Sequence, residues 1–326
     1  MAAIVCRQIG LRHYPDCEPG IRRERRGRGF SYIAPDGARI TDATKRDALN
    51  ALAIPPAYAD VWICPFDDGH LIATGLDEAE RKQYRYHPKW TSFQQSRKFA
   101  SLAELGERLP KLRSWVARRL SEDAEGHDGA VAAVIGLMER HSLRVGNRKY
   151  SLENGSFAAT TLKRRHLHIE GTKGTLIYTA KGGRDVEKPL RGRTLIERLG
   201  QGPDSPGSVL AGWRDGQGRW RAVSPAAVRE RLSDIVGLDV TPRLLRTWNG
   251  SRAAFLAARG AEEDATLKSV SEAAAQELHN TPAIARSSYI HPAIIAAVRE
   301  GEALPDDGKN RPKMRAGEGG LLDLLT

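Results

Sequence analysis

Cysteine is scarce in this chain and apolar stretches are short, and each shortage excludes a class of protein. Cys6, Cys17 and Cys64 are far apart and form no CxxC pair, so they predict neither a disulfide framework nor a zinc site. No apolar run approaches the ~20 residues that cross a bilayer, and the N-terminus lacks the apolar core of a signal peptide. We therefore expect a soluble protein of the reducing cytoplasm, with no membrane partner.

The motifs that hold nucleotides and catalytic metals are also missing. The chain has no Walker loop, no GxGxxG that opens a helix and no HExxH. The acidic clusters Asp67-Asp68, Glu262-Glu263-Asp264 and Asp306-Asp307 are contiguous, and adjacent positions on a helix do not share a face. A two-metal phosphodiesterase site is therefore poorly supported, and we expect chemistry that uses neither a metal nor a nucleotide cofactor.

Basic residues outnumber acidic ones. Lys and Arg total 51 against 40 for Asp and Glu, which gives a formal charge of +11 and an isoelectric point near 9.7. This balance favours an anionic partner, and nucleic acid is the first candidate. The basic run Arg22, Arg23, Arg25 and Arg26 either binds phosphates or is simply solvated. Charge alone does not decide between these interpretations.

Turn signals and apolar spacing predict an α+β protein with two domains. At 326 residues the chain is longer than one hydrophobic core comfortably supports. Residues 1–92 carry short β-type runs between turns, such as 29–33 and 61–64, and predict a small β-rich domain. Residues 93–326 are predicted to form a larger, mainly helical domain, because apolar residues there recur at helical spacing. One helix should bury the face that carries Val131, Val134, Ile135 and Met138.

Local signals also divide the larger domain into elements. Residues 166–190 are typical of a short antiparallel sheet, with Lys181 at the tip of a hairpin that turns at Lys181-Gly182-Gly183. A Gly/Pro/Ser-rich surface loop is predicted at 201–208 and a polar tail at 306–319, before a short apolar terminus. Three helices are predicted to begin where an N-cap residue precedes proline: Ser224-Pro225, Thr241-Pro242 and Thr281-Pro282.

Cationic, amide and phenolic side chains fall at the predicted ends of these elements, where they can converge on a ligand. Arg144 follows an amphipathic helix and precedes a Gly-Asn pair that reads as a helix terminator. Arg246 lies one turn into the helix that starts after Thr241. Asn280 ends a later helix, which carries Val270 and Leu278. Tyr289 lies between two short helices. Taken singly, such residues are ordinarily solvated charges, caps or packing residues.

The order of these residues resembles that of the type IB DNA topoisomerases, in their bacterial and poxvirus-like branch. In the first domain, 69–75 and 81–87 look like the family's DNA-clamping module. Only the far C-terminal tail lies outside the resemblance. The motifs in the catalytic domain are Leu143-Arg144-Val145-Gly146-Asn147, Asn154-Gly155-Ser156 with Thr160-Thr161-Leu162, Ala180-Lys181-Gly182-Gly183, Leu245-Arg246-Thr247-Trp248, and Asn280-Thr281-Pro282 followed by Tyr289.

The resemblance implies a reaction and a role for each residue. Tyr289 is implied to attack a backbone phosphorus and to leave a 3′-phosphotyrosine. Arg144 and Arg246 are implied to bind the non-bridging oxygens, and Lys181 to protonate the departing 5′ oxygen. The tyrosyl phosphodiester conserves the energy of the broken bond, so the 5′ hydroxyl can reseal the strand without ATP.

Two features of the implied site stay open. Many type IB enzymes have a histidine where this chain has Asn280, so we assign the oxyanion contact to this amide and keep His279 as the alternative. The pKa of an ordinary tyrosine is about 10, so Tyr289 needs a cationic pocket or a water-mediated base. No carboxylate or histidine stands out as that base, and His291 is near only in sequence.

The resemblance further implies a monomer that clamps duplex DNA, with mostly phosphate contacts, and we expect a nucleoid-associated location in the cytoplasm. Strand alternation places Tyr84 and Tyr86 on one face, where they either lie on DNA or pack on the sheet. The residues expected to bind DNA outside the reaction are Gln83, Tyr84, Tyr86, Lys149 and Tyr150.

Two other functions stay open at this stage. A tyrosine recombinase shares the catalytic logic, but it commonly has a histidine three residues before the second arginine, where this chain has Arg243. Its first domain is also typically helical, whereas this one is predicted to be β-rich. A non-catalytic DNA-binding protein needs only the charge and the aromatic residues, and it leaves Lys181 and Tyr289 unexplained.

Overall fold

The computed structural model describes residues 2–27, 29–237, 240–261, 265–307 and 311–326. The acidic run 262–264 therefore lies outside the described residues. The chain forms two units, Met1–Lys98 and Phe99–Thr326, and each contains its own hydrophobic core. Within the described part of the chain, no helix has both the length and the apolar character to cross a bilayer.

The first unit is built on a five-stranded antiparallel sheet with the strand order β2-β1-β3-β4-β5. Its core packs Ile21, Val61 and Ile63 of the sheet with Leu49 of the second helix. The predicted strand at 29–33 forms as expected, but the turn signals did not reveal the two helices of this unit. Its elements are α1 (Ala2–Gln8), β1 (Ile21–Arg26), β2 (Gly29–Ile33), α2 (Ala43–Ala51), β3 (Ala59–Ile63), β4 (Leu71–Leu76) and β5 (Lys82–Tyr86).

The rest of the chain is mainly helical and includes a three-stranded antiparallel sheet, β6-β7-β8. This agrees with the predicted α+β class. Its helices are α3 (Pro88–Glu122), α4 (His127–His141), α5 (Arg148–Asn154), α6 (Arg193–Gly200), α7 (Pro225–Val236), α8 (Pro242–Arg259), α9 (Leu267–Leu278), α10 (Pro282–Tyr289), α11 (Pro292–Glu300) and α12 (Glu318–Leu325). Its strands are β6 (Leu167–Glu170), β7 (Lys173–Ala180), β8 (Arg184–Leu190), β9 (Gly212–Arg214) and β10 (Trp220–Ala222).

Helix α4 is the centre of the second core. The apolar spacing predicted one buried face, but the helix is buried all round from Gly129 to Glu139, because α6, α7, α8 and β9 all contact it. Its alanine and glycine residues let these neighbours approach closely. The helix ends at Ser142 in the left-handed conformation, and this end leads the chain directly towards Arg144.

The local signals for turns and helix starts were largely correct. The hairpin between β7 and β8 turns at 181–183, with Gly182 and Gly183 at φ of 85° and 72°, which favours glycine. Ser224 and Thr281 cap α7 and α10 through their side chains, and α8 begins at Pro242. Residues 201–208 form an irregular loop.

One predicted helix end was wrong. Asn147 does not terminate a helix; its side chain caps the start of α5 by accepting from the N–H of Tyr150 at 3.1 Å. Residues 308–310 of the polar tail predicted at 306–319 lie outside the described residues, and the apolar terminus that follows the tail packs into the core as part of α12, with Leu321 fully buried. Glu318 is also fully buried and is bound by Arg113 at 2.6 Å. The polar composition of this segment suggested that Glu318 is exposed. Its ion pair with Arg113 instead provides a partner for the buried carboxylate.

Candidate active site

One cationic pocket of about 570 Å³ in the second unit brings together all five residues that the resemblance assigns to catalysis. Arg184 and Arg243 also line it. Among the described residues that line the pocket, five side chains are cationic and none is acidic, which suits an anionic ligand such as a phosphodiester. No trio of His, Cys, Asp or Glu side chains in the described ranges is placed to hold a metal ion. The five converging residues are Arg144, Lys181, Arg246, Asn280 and Tyr289.

Arg246 is the most deeply buried cation of the pocket, with an exposed fraction of 4%. Its guanidinium donates to the carbonyls of Ser142 and Leu278, at 2.9 Å for Leu278. Its Nε has no partner among the described residues. Burial and the nearby charge of Arg144 lower its pKa to about 10, so it stays protonated at neutral pH. The side chain is therefore a fixed positive charge that retains an unused N–H donor.

The loop residue Arg144 orients Asn280. Its Nη2 donates to Oδ1 of Asn280 at 2.6 Å, which turns the amide nitrogen the other way. That Nδ2 is buried and unpartnered among the described residues. Because the carbonyl end is already bound, the NH₂ end is free to donate to a phosphate oxygen, as the assignment of Asn280 requires.

His279 is next to Asn280 and also lines the pocket. It forms the left-handed cap of α9, at φ 49°. Burial, followed by the charge of Lys188, lowers its pKa to about 4, so the ring is neutral at physiological pH. A neutral imidazole donates through only one nitrogen. His279 therefore contributes less positive charge to the pocket than the imidazolium of an ordinary histidine can.

Tyr289 ends α10 rather than following it, and it has an exposed fraction of 8%. Burial by itself raises the pKa of its phenol, but the charges of Arg243 and then Arg246 outweigh it and hold the pKa below its ordinary value. The guanidinium carbons of these arginines lie 5.3 and 5.4 Å from the ring centroid. The pocket therefore favours the phenolate, which is the nucleophilic form.

Helix α8 also holds the backbone of Tyr289. The carbonyl of Tyr289 accepts from the hydroxyl of Ser251 at 3.1 Å, and Oγ of Ser251 in turn accepts from the N–H of His291 at 2.9 Å. Gly250 leaves room for this contact, since an added Cβ would lie 2.9 Å from the Tyr289 carbonyl oxygen. One helix thus supplies Arg246 and, a turn later, the support for Tyr289.

Lys181 stands exposed at the hairpin tip, as predicted from the turn. Its Nζ lies 5.5 Å from the ring centroid of Tyr150, which is half-buried on α5. Lys149, on the same helix, is highly exposed and lies 3.8 Å from Glu153. Helix α5 therefore brings Tyr150 next to Lys181, which lines the pocket.

The predicted contact residues of the first unit lie on β5. The rings of Tyr84 and Tyr86 stack at 6.1 Å with an angle of 9°, and both remain exposed. This exposure favours a contact surface over sheet packing. Gln83 points to the other face, where its amide donates to Asp77 at 2.8 Å. In the nearby basic run, Arg23 is structural because it donates to the carbonyls of residues 54, 55 and 58.

Sequence reasoning missed the role of Arg243. It was noted only as the position where a recombinase commonly has histidine, yet its charge is the strongest influence that lowers the Tyr289 pKa. Its position one helical turn before Arg246 was the available signal, because residues three apart share a face. His291 is not in the pocket; its Nδ1 accepts from the N–H of Ala293 at 3.1 Å and caps α11.

Comparisons with known families agree with this geometry. The model described as Bacterial DNA topoisomerase IB, N-terminal domain, matches residues 29–77. The model described as Eukaryotic DNA topoisomerase I, catalytic core, matches residues 87–285, which is more than half of the chain. The chain belongs to the type IB DNA topoisomerase family. The matches decide between the enzyme classes that the sequence left open: this protein is a DNA topoisomerase.

The topoisomerase is also similar to a viral enzyme. It is 24% identical over 286 residues to the DNA topoisomerase 1B of Acanthamoeba polyphaga mimivirus, an alignment that covers 83% of this chain and 85% of the relative. This relative and the bacterial N-terminal match support the bacterial and poxvirus-like branch. Tyr289 lies four residues beyond the second matched range, and 83–86 lie between the two ranges. The roles of these residues depend on the geometry of the site.

Proposed function

We propose that this topoisomerase relaxes supercoiled duplex DNA through a transient bond between Tyr289 and a 3′ phosphate, without ATP or a metal ion. The phenol oxygen bonds to phosphorus as the bond to the 5′ oxygen breaks. The phenol proton passes to water, and Lys181 protonates the departing oxygen. The free end rotates about the intact strand, and its 5′ hydroxyl then attacks the phosphotyrosine in the reverse step. One phosphodiester replaces another, so no fuel is needed.

The observation that carries this proposal is the convergence of a phenol and fixed cations in one pocket. Arg144 and Arg246 bind the non-bridging oxygens and neutralise the charge that develops on the phosphorane, and the amide of Asn280 donates a further hydrogen bond. A well-placed donor of this kind contributes ~10²-fold or more to the rate.

Tyr178 provides an internal comparison for Tyr289. It is also buried and lies near Arg246 and Arg144, but burial dominates there and raises its pKa to about 12. It is absent from the lining of the catalytic pocket. The pKa values of two buried phenols near the same guanidiniums therefore shift in opposite directions, and only the shift of Tyr289 favours the nucleophilic phenolate.

The test compares Tyr289→Phe with the matched change Tyr178→Phe. Supercoiled plasmid is incubated with each variant in EDTA, quenched with SDS, and the DNA-linked peptide is mapped. Tyr289→Phe should bind DNA but neither relax it nor form an adduct, while Tyr178→Phe should do both. Full relaxation by Tyr289→Phe, or an adduct on another residue of the wild type, would overturn the proposal.

We further propose that a single copy of the chain acts by clamping one duplex, in the cytoplasm and on the nucleoid. The exposed Tyr84 and Tyr86 pair in the first unit and the cationic pocket in the second both suit DNA. Sedimentation of the Tyr289→Phe variant with a short duplex should give a 1:1 complex, which Tyr84→Ala with Tyr86→Ala should weaken. A 2:1 complex would contradict the monomer.

A further inference from the structure

Lys188 is a half-buried cation of β8 that the reaction proposed above does not use. Its ammonium donates to two backbone carbonyls, that of His141 at 2.8 Å and that of Glu277 at 3.2 Å. His141 is the last residue of α4, and Glu277 lies in the last turn of α9. One side chain therefore connects a strand to the C-terminal ends of two helices.

Arg246 makes the same kind of connection one residue further along each helix end. It donates to the carbonyls of Ser142 and Leu278, which directly follow His141 and Glu277. Two cations from different elements, β8 and α8, thus bind consecutive carbonyls at both ends. The last carbonyls of a helix have no partner within the helix, and positive charge is favourable there.

The two helix ends are alike in other respects and are bonded to each other. Each helix passes into a residue in the left-handed conformation, Ser142 at φ 58° and His279 at φ 49°. The hydroxyl of Ser142 donates to the carboxylate of Glu277. Nδ2 of Asn249 donates to Oγ of the same serine at 2.9 Å, so α8 supports this bond. The ends of α4 and α9 are therefore held together as one unit.

The spacing from these ends to the catalytic residues is the same in both segments. Arg144 follows His141 by three residues, and Asn280 follows Glu277 by three. Arg144 and Asn280 then meet, and Nη2 of the arginine donates to Oδ1 of the amide at 2.6 Å. A change in the distance between the two helix ends therefore reaches this hydrogen bond through only a few residues of chain.

Two other largely buried cations of this unit are arranged differently. Arg113 and Arg315 are bound by the carboxylates of Glu139 and Glu318, which neutralise their charge. Lys188 is bound by carbonyls, and burial is the largest influence that lowers its pKa. Keeping an ammonium in such a place costs free energy, which the bonds to the two helix ends offset.

The hairpin that carries Lys181 is held independently of Lys188. The backbone ladder between β7 and β8 is continuous up to the residues beside the tip. The N–H of Phe157 also donates to the carbonyl of Thr179, on β7, at 2.8 Å. Loss of the Lys188 ammonium should therefore disturb the helix ends and leave the tip of the hairpin in place.

We propose that Lys188 is a positioning residue, which fixes the ends of α4 and α9 at the separation that lets Arg144 orient Asn280 towards the reacting phosphate. This inference rests on the proposed function, which puts that phosphate in the catalytic pocket. Lys188 is not among the described residues that line the pocket, so it acts through the two helix ends. Arg246 has to bind both the phosphate and the helix ends, whereas Lys188 binds the ends alone.

The experiment is a double-mutant cycle, with single-turnover cleavage measured at saturating DNA. Lys188→Met keeps an unbranched apolar stem and removes the ammonium. Alone it should slow cleavage by ~10²-fold, as expected when a catalytic group is misplaced. In the Asn280→Ala background the same substitution should cost only about threefold, because the group that it positions is already gone. In the Lys181→Ala background the loss should stay at ~10²-fold, because the hairpin is held separately.

Matched variants separate the ammonium from general effects on folding. Lys173→Met, at an exposed position of β7, should leave cleavage unchanged. Lys188→Arg should restore most of the rate, since a guanidinium can donate to both carbonyls. Thermal melts and duplex affinity in the Tyr289→Phe background verify the fold. If Lys188→Met does not fold, Lys188→Gln takes its place in the cycle, with a smaller loss because its amide can still donate to one carbonyl.

An unchanged cleavage rate in the Lys188 variant would overturn the proposal. Equal fold-losses in the wild-type and Asn280→Ala backgrounds would do the same, as would a loss confined to DNA affinity. The two proposals fail separately. An adduct mapped to a residue other than Tyr289, with the coupling between Lys188 and Asn280 intact, would remove the reaction mechanism alone. An adduct on Tyr289 with additive losses would remove the role of Lys188 alone.

Discussion

The guanidinium carbon of Arg243 lies 5.3 Å from the ring centroid of Tyr289. Arg243 is exposed, while Arg246, one turn further along α8, is buried beneath the same ring. Together they overcome the effect of burial and lower the pKa of the phenol. A pair of positive charges on one helix face therefore favours the phenolate of Tyr289.

Replacing Arg243 should change the pH dependence of cleavage. In Arg243→Gln the pKa of Tyr289 rises, so less phenolate is present at neutral pH and the rising limb of the pH–rate profile moves to higher pH. Single-turnover cleavage at pH 7 should fall about tenfold, equivalent to about 1.4 kcal/mol, and Arg243→Lys should recover part of it. Arg286→Gln, an exposed cation of α10, is the control. A profile displaced equally in both variants would refute the specific role of Arg243.

The amide of Asn280 should matter as a donor. Asn280→Asp keeps an acceptor for Arg144 but loses the NH₂ group and adds a negative charge, so single-turnover cleavage should fall by ~10²-fold or more. Asn280→His should retain more activity, because imidazole can also donate. His279→Asn, which tolerates the left-handed backbone, should have a small effect. A larger loss in His279→Asn than in Asn280→Asp would transfer the phosphate contact to His279.

Gly250 should control the position of Tyr289. A Cβ at this residue would lie 2.8 Å from Cδ1 of Leu278 and 2.9 Å from the carbonyl oxygen of Tyr289, so α10 must move away from α8. Gly250→Ala should reduce the cleavage rate at saturating DNA more strongly than it reduces DNA binding. Gly216→Ala is the matched control, because an added Cβ there meets nothing within 4 Å. Normal cleavage by Gly250→Ala would show that the pocket tolerates this shift.

The C-terminal helix should contribute to stability through Glu318. Burial raises the pKa of this carboxyl. The hydrogen bond and charge of Arg113 lower it, and the net pKa is below the ordinary value of 4.5. Its contribution is therefore present above pH 4.5 and is lost as the pH falls through the lower folded-state pKa. Glu318→Gln should cost about 3 kcal/mol in urea unfolding at pH 7, with a smaller difference in acid. The exposed Glu302→Gln should change little, and equal losses would argue against the buried pair.

Local chemistry made much of the fold predictable. An N-cap residue followed by proline favours a helix start, and α7, α8 and α10 begin where Ser224, Thr241 and Thr281 indicated. Two glycines after Lys181 marked the hairpin tip in the same way. The role of Asn147 was mistaken because the same residue type both ends and begins helices, and only the backbone around it distinguishes the two.

The sequence by itself determined the strand at 29–33, the hairpin at Lys181, the starts of α7, α8 and α10, and the residue types that suit phosphoryl transfer, because these depend on neighbours a few positions away. Only the tertiary structure decided which cations surround Tyr289, which end of Asn280 is free, and that the C-terminal segment is packed in the core. Arg144 and Asn280 are 136 positions apart, and Arg113 and Glu318 are 205 apart. Contacts over such separations depend on how α3, α4, α8, α9 and α12 pack, and no local pattern encodes that.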